Sequence, residues 1–534
     1  MLSITHTIVF MASNKKNKVP KYTPFAKDMI TLADFRAHHY NGFDMSTDGY
    51  YVGFANKLFK VVRKFFGNDD RFDSKIQRKL VLTLTCYVED LVSGQGVWQA
   101  FVSLHKKKYG RELPFFETDD EYYSREFPCL QAVRFLIWYV LNSTSSDTLL
   151  NPCNPAAELL ALAIFPMIEE GYDEAPDTVG RIRIVPEEKI GVPVYYQVRN
   201  LCMWLVDRCY LTKVADSRTL ADNLAPLAEK FGNLEDDDFE HRKAYIADAF
   251  LPFNVNIGPL AIRAYEWLTE IMDICHDPEE EEFMPAVNEL KSLPYSFYEY
   301  VEIGKDSAIL CNLDRERMEM SAFTMPGCVI PSHVKAEDSA FMSLVYFDSK
   351  WMLNGIGAQG LSGEAFDKAY ALWEEKKSAM ESSFAALMKG LKNKRIGVCA
   401  NYDEYLAHFP TTGKQEDMDI PEDIKDCDNL LYFVNTDSTV TILPNWGDVV
   451  KLRGNKYYDK KEAAMTGLQL IMDHDLATSE MRQYIIDNNL IPDAAMQSVE
   501  SEKAGKELFQ DNMRFLNDYM SRDTMEVFSS KISE

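Results

Sequence analysis

Three glycines in WMLNGIGAQG (351–360) have a spacing that many enzymes use to bind dinucleotides. Gly355, Gly357 and Gly360 follow the pattern G-x-G-x-x-G, which in a dinucleotide-binding fold brings the backbone close to a pyrophosphate. That chemistry requires a parallel strand before the glycines and a helix whose first turn includes the third glycine. It also requires an acidic residue about twenty positions later, at the end of the next strand.

The segments around these glycines predict a different structure. FMSLVYF and KWMLN, joined by Asp348-Ser349, are typical of an antiparallel hairpin. Ser362 is a predicted helix N-cap, so Gly360 lies outside the helix. The next strand is predicted only at Arg395. We therefore interpret the glycines as a strand exit and predict that the chain binds no dinucleotide and no other cofactor.

Carboxylates, a histidine and a tryptophan occur close together in CYVEDLVSGQGVWQAFVSLHKKKYG (86–110). Glu89, Asp90 and His105 are candidate catalytic residues, because a carboxylate in an apolar setting can serve as a general acid or base. Neighbouring helical residues point about 100° apart, so Glu89 and Asp90 cannot both face one cleft squarely. The structural interpretation is that one of them caps or bridges the neighbouring helix.

Trp98 is a candidate ligand or partner contact in the same segment. The positions of Phe101 and Leu104, three and six residues later, instead predict that its indole faces the helix that carries Val81, Leu84 and Val88. We therefore predict that Trp98→Ala lowers stability sharply, whereas Glu89→Gln has little effect.

A histidine–aspartate pair in ADFRAHHYNGFD (33–44) is a candidate metal-binding pair. Asp34 and His38 are one helical turn apart, and His39 adjoins them on a different face. Since no third ligand is apparent, structural or surface histidines are the favoured interpretation, and we predict no metal.

Composition indicates a folded, acidic protein. The 534 residues are 46% hydrophobic and carry a formal net charge of −26, which argues against nucleic acid or an anionic membrane as a general partner. Ten cysteines without a C-x-x-C pair indicate a reducing compartment. The opening apolar run precedes its positive charges, unlike a signal peptide. We expect a cytoplasmic protein whose natural start is Met1 or Met11.

The order of the predicted elements indicates an α+β fold. A flexible tail (1–21) precedes a mostly helical region (22–290), in which apolar residues recur at helical spacing. Short aromatic and branched segments then predict an antiparallel β meander or small barrel (291–362). The last region (363–534) begins with a long amphipathic helix capped by Ser362 and is mixed α/β, with a hairpin at 430–443 and terminal helices.

Several segments resemble a known family. They are YVEDLVSGQGVWQAF (87–101), AVRFLIWYVL (132–141), FMSLVYFDSKWMLNG (341–355), NKYYDKKEA (455–463) and IIDNNLIPDA (485–494). They are similar to uncharacterised proteins of Bacteroides-type bacteria, which are classed only as a domain of unknown function. The resemblance spans most of the chain and implies a bacterial cytosolic protein. It supplies no functional residues.

Three functional hypotheses follow from these patterns. The favoured hypothesis is a non-catalytic binding or scaffold protein with a protein partner, because the chain contains no intact site motif. The alternative is an enzyme, either a hydrolase or a nucleotide-acting one, with its site in the helical half. A third is association with nucleic acid through HKKKYGR (105–111) and KGLKNKR (389–395), which would have to share one face.

Overall fold

A computed structural model describes most of the chain from Met29 to Ile532. The predicted tail (1–21) lies outside the described residues. The described residues are 29–40, 46–67, 72–118, 125–142, 149–178, 193–231, 236–275, 284–321, 323–324, 327–328, 330–409, 422–473, 475–491 and 500–532.

The first half of the chain is helical, as the apolar periodicity predicts. Several helices begin at side chains that cap their free backbone N–H groups, such as Asp73, which accepts hydrogen bonds from the amides of Lys75 and Ile76. The helices are α1 (Leu32–Arg36), α2 (Asp48–Phe66), α3 (Ser74–Ser93), α4 (Val97–Tyr109), α5 (Leu130–Asn142), α6 (Pro155–Asp173), α7 (Val194–Asp207), α8 (Ser217–Asp222), α9 (Ala225–Lys230), α10 (Asp236–Asn254), α11 (Ala264–Cys275) and α12 (Met284–Asn288). A small β-ladder joins β1 (Asn256–Ile257) to β2 (Ile262–Arg263).

The middle of the chain is a strongly curved sheet. Its strands are β3 (Lys291–Ile303), β4 (Ser307–Cys311), β5 (Arg317–Ser321), β8 (Ser339–Phe347), β9 (Lys350–Leu353) and β10 (Ala358–Leu361). A separate ladder joins β6 (Phe323–Thr324) to β7 (Gly327–Cys328). The pairs β3–β4, β4–β5, β3–β8 and β8–β9 are antiparallel, and one parallel pairing, Met320 with Trp351, joins β5 to β9. Five strands therefore close into a small barrel.

The barrel has an apolar interior of its own. Alternate residues of its strands are buried together, as expected when one face of each strand points inward. The buried residues of this cluster are Tyr298, Tyr300, Ala308, Leu310, Met318, Met320, Ile330, Val334, Ala340, Met342 and Leu344. This arrangement confirms the predicted sheet and selects a closed barrel over an open meander.

A long helix leads from the barrel into the last region. It is α13 (Gly363–Gly390), and Ser362 caps it by accepting a hydrogen bond from the Glu364 amide, as predicted. The remaining elements are β11 (Ile396–Cys399), α14 (Tyr402–His408), α15 (Glu422–Lys425), β12 (Leu430–Val434), β13 (Val440–Pro444), α16 (Lys460–Thr466), α17 (Gln469–Met472), α18 (Ser479–Asp487) and α19 (Glu502–Met520). β12 and β13 form the predicted hairpin, and β11 extends it to three antiparallel strands.

The largest core contains residues from both the first and the last helices of the chain. Its fully buried aromatic side chains include Trp98, Phe135 and Tyr519. The Tyr109 hydroxyl donates a hydrogen bond to Asp518 over 2.6 Å, which ties α4 to α19. The predicted boundaries at residues 290 and 362 stay predictions. Within the described residues, no helix is long and apolar enough to cross a membrane.

Candidate functional site

The three glycines of the dinucleotide pattern lie in an antiparallel setting. The strand before them is paired with β8 in the predicted hairpin, and Gly360 lies in β10, before the helix begins. A side chain at Gly357 would place its Cβ 2.7 Å from the Cβ of Met342, and Gly355 has a φ of +82°. Close strand packing and backbone conformation therefore account for these two glycines. That the chain binds no dinucleotide stays a prediction.

Asp90 caps a helix. Its carboxylate accepts hydrogen bonds from the backbone amides of Trp98 (2.7 Å) and Val97 (3.3 Å) at the start of α4, and from the Tyr210 hydroxyl (2.8 Å). Burial raises the pKa of Asp90 to about 6, and these hydrogen bonds offset part of that effect. Asp90 thus caps the neighbouring helix, which is the structural interpretation drawn from the sequence.

His105 and Trp98 belong to the packed interior. The Nδ1 atom of His105 lies 2.6 Å from the carbonyl oxygen of Arg111, and burial lowers the pKa of this histidine to about 4. Trp98 is 0% exposed and contacts the rings of Tyr87 and Phe101. The predicted burial of the indole is confirmed. Its burial leaves Trp98 no surface through which a partner could bind.

The candidate metal pair, Asp34 and His38, makes contacts with different parts of the helical region. Asp34 accepts hydrogen bonds from the Thr31 backbone (2.7 Å) and from Arg78 (2.8 Å). The Nδ1 atom of His38 instead lies 2.9 Å from the carbonyl oxygen of Arg208. The two side chains thus serve separate structural contacts.

His39 and Glu89 instead meet Asp48 in a buried cluster, which sequence reasoning did not assemble. The Nε2 atom of His39 lies 2.8 Å from Oε2 of Glu89, and Asp48 binds the Nε atom of Arg36 over 2.6 Å. One ligand-type atom from each of His39, Asp48 and Glu89 lies within 4.8 Å of the other two. We call these three residues the buried triad.

Burial and neighbouring charges both shift the pKa values of groups in and beside the buried triad. Burial raises the pKa of Glu89, the bond and charge of His39 lower it, and the charge of Asp48 raises it further. Tyr51 is fully buried nearby, and burial together with the charges of Glu89 and Asp48 raises the pKa of its phenol. In the sequence, the feature that pointed to this cluster was the carboxylate of Glu89 on an otherwise apolar helix.

An open concavity runs along α13. It has a volume of about 760 Å³ and lies between this helix, the barrel strand β3 and residues 531–532. Its apolar lining is Phe297, Ala365, Ala369, Leu372, Ala379 and Ile532, and its charged lining is Lys368, Glu375, Lys376 and Lys531. We call this concavity the α13 groove. Sequence analysis identified the helix but not the groove, because Leu372 lies off the predicted apolar face.

Residues of both basic segments pair with acidic side chains of the same chain. Lys107 lies 2.5 Å from Glu270 and Lys108 lies 3.1 Å from Asp518. In the second segment, Arg395 binds Glu480. These internal pairs reduce the positive charge that either segment could offer to a phosphate backbone.

The chain is an α+β protein in which a helical region, a small barrel and a mixed region follow one another, and its sequence places it in a family. The family described as "Protein of unknown function (DUF3843)" matches residues 25–293 and 372–522. The chain belongs to this family. The matched residues include the buried triad and most of α13. No curated protein and no solved structure matches the chain.

Proposed function

We propose that the protein is a non-catalytic binding or scaffold protein and that it docks an acidic, amphipathic helix of a partner protein in the α13 groove. The observation that carries this proposal is an apolar groove of about 760 Å³ whose lining includes Leu372, 67% exposed. Among the large apolar side chains exposed in the described residues, Leu372 has the highest exposed fraction.

Burial of Leu372 by a partner would contribute to the free energy of docking. Full burial of a leucine side chain contributes about 1.5–3 kcal/mol. Since Leu372 is 67% exposed, its burial by a partner contributes roughly 1–2 kcal/mol. That free energy corresponds to about a 5- to 30-fold change in affinity.

The charges around the groove favour an acidic partner. Lys368, Lys376 and Lys531 line it together with a single acid, Glu375, although the chain as a whole has a net charge of −26. Lys368 also pairs with Glu364 over 3.6 Å and Lys531 with Asp314, so an acidic partner would compete with these acids for the two lysines. The groove side chains of α13 run from residue 365 to 379, which is about 21 Å of helix at 1.5 Å per residue. A partner helix of about four turns matches that length, and anchors at i, i+3, i+4 and i+7 would face the groove.

A fluorescent peptide tests this proposal. The probe is a four-turn helical peptide with leucines at i, i+3, i+4 and i+7 and glutamates beside them. The comparison peptide has lysine in place of each glutamate. We expect the acidic peptide to bind more tightly, with an affinity that falls as salt increases.

Two matched variants locate the binding. Leu372→Asp places a charge in the groove and should weaken binding at least about tenfold. Leu159→Asp makes the same change at another exposed helical position, 58% exposed on α6, and should leave binding unchanged. Equal binding of both peptides, or equal effects of the two variants, would contradict the proposal.

We also propose a cytoplasmic location and a Bacteroides-type bacterial source. None of the nine cysteines of the described residues is in a disulfide, which fits a reducing compartment. The bacterial source rests on the sequence resemblance of segments such as 87–101. Fractionation of the native host tests the location, and recovery of the protein in an exported fraction would contradict it.

An enzyme with a site in the helical half is the second candidate function. The buried triad favours it, because a histidine bonded to a carboxylate can move a proton during hydrolysis. Screening phosphoester, ester and nucleotide substrates against the parent and His39→Gln tests it. Turnover that is lost in the variant supports this function, and no turnover of any substrate by the parent counts against it.

A further inference from the structure

The buried triad assembles three metal-ligand types from three parts of the helical region. His39 follows α1, Asp48 is the first residue of α2, and Glu89 lies within α3. Their exposed fractions are 4%, 0% and 2%. The fold therefore withdraws one imidazole and two carboxyl groups from water and places them side by side.

We propose that the buried triad binds one divalent first-row transition metal ion, with His39 Nε2 and one oxygen each from Asp48 and Glu89 as protein ligands. The three atoms lie within 4.8 Å of one another. Ligands at about 2.0–2.2 Å from a zinc ion lie roughly 3.3–3.6 Å apart in a tetrahedral site. Side-chain rotations that shorten these distances by about 1 Å would give that spacing, and a tetrahedral ion with three protein ligands takes a water as its fourth.

The donor set selects the class of metal. Imidazole nitrogen suits zinc and iron, whereas carboxylates also suit manganese and magnesium. One nitrogen with two carboxylate oxygens therefore favours Zn²⁺, Fe²⁺ or Mn²⁺ over Ca²⁺ or Mg²⁺. Among Mn²⁺, Fe²⁺ and Zn²⁺, intrinsic affinity is lowest for Mn²⁺.

Arg36 binds the triad carboxylate Asp48 and is itself partly exposed to solvent. Its side chain is 29% exposed, while the Asp48 carboxylate that it binds is 1% exposed. The guanidinium thus approaches Asp48 from the solvent side. A dication that binds both carboxylates takes over the charge compensation that Arg36 gives to Asp48, so the arginine and the metal compete.

Metal uptake by the untagged, full-length protein is the first test. The protein is dialysed against a chelator and titrated separately with Zn²⁺, Mn²⁺ and Mg²⁺ in a calorimeter. We expect one equivalent of Zn²⁺, weaker binding of Mn²⁺ and the weakest binding of Mg²⁺. Absence of stoichiometric Zn²⁺ uptake would overturn the proposal.

Adjacent histidines provide a matched pair of variants. His39→Gln removes a ligand and should weaken Zn²⁺ binding by about 100-fold or more. Loss of a residue that only supports a ligand already lowers metal affinity by about 10- to 100-fold, and loss of the ligand itself should cost more. His38→Gln changes the neighbour that contacts Arg208 and should leave binding unchanged. Arg36→Gln should tighten binding, because it removes the competing cation. The reverse ranking of the two histidine variants would overturn the proposal.

Spectroscopy of the parent protein covers the case in which His39→Gln does not fold. X-ray absorption of the zinc-loaded protein should show only nitrogen and oxygen in the first shell, with one imidazole. Sulfur in that shell would assign the ion to one of the cysteines and overturn the proposal. The groove is not involved, so this result is independent of the peptide experiment.

Discussion

Trp98→Ala should be among the most destabilising single substitutions in this chain. The indole is 0% exposed, and its ring centre lies 5.0 Å from that of Tyr87 and 5.2 Å from that of Phe101. Replacing a buried tryptophan by alanine costs about 3–5 kcal/mol, because transfer free energy is lost and a cavity is left. Since a domain is stable by only about 5–15 kcal/mol, the loss should be large.

Urea unfolding followed by far-UV circular dichroism measures this cost without relying on tryptophan fluorescence. Leu372→Ala is the control, because it removes a large apolar side chain that is 67% exposed and should change stability by less than about 0.5 kcal/mol. The reasoning is refuted if Trp98→Ala unfolds at the same urea concentration as the parent.

Three further predictions concern the same helices. Gly96 and Gly110 have nearly the same φ, +82° and +81°, but differ in the space around them. A Cβ at Gly96 would lie 2.4 Å from the Cys275 sulfur, whereas a Cβ at Gly110 would have no other atom within 4 Å. Gly96→Ala should therefore cost about 1–3 kcal/mol more than Gly110→Ala in urea unfolding, and equal costs would exclude the steric explanation. Burial raises the Asp90 pKa from 3.8 to about 6, so the folded protein binds a proton at this site more tightly than the unfolded chain does. The parent should therefore gain stability relative to Asp90→Asn as pH falls from 7 to 4. Unfolding at several pH values measures that gain, and a relative loss on acidification would contradict it. Glu89→Gln should cost about 1–3 kcal/mol in the same assay, since it weakens a buried bond to a histidine, and a negligible cost would argue against that bond.

That last expectation differs from the one drawn from sequence, which was little effect. Apolar neighbours around Glu89 show that it lies on a buried helix, but they do not show what it contacts. Its partner, His39, is 50 residues away in the sequence. Helical periodicity reports which face is buried and carries no information on which distant side chain meets it.

Local signals predicted local structure well. Ser362 caps α13, and Asp348 and Ser349 both have positive φ, as a two-residue hairpin turn of type I′ requires. These features depend on residues that are neighbours in the chain. The parallel contact of Met320 with Trp351, which closes the barrel, joins strands that are not consecutive, and no local pattern encodes it.

The α13 groove was hidden from sequence reasoning for the same reason. One wall is a helix, and the other includes Phe297, Lys531 and Ile532. Leu372 lies off the apolar face of its helix, so periodicity alone gives it no role. Only the packing of β3 and of residues 531–532 beside α13 makes it part of an apolar groove.

Photo-crosslinking in the native host tests the docking proposal most directly. A photoreactive phenylalanine analogue replaces Leu372 in one strain and Leu159, also exposed on a helix, in another. We predict that position 372 alone crosslinks to a protein, and that the attached peptide belongs to an acidic, amphipathic helix. No crosslink at position 372, the same products at both positions, or attachment to a basic segment would contradict the proposal that the α13 groove docks such a partner.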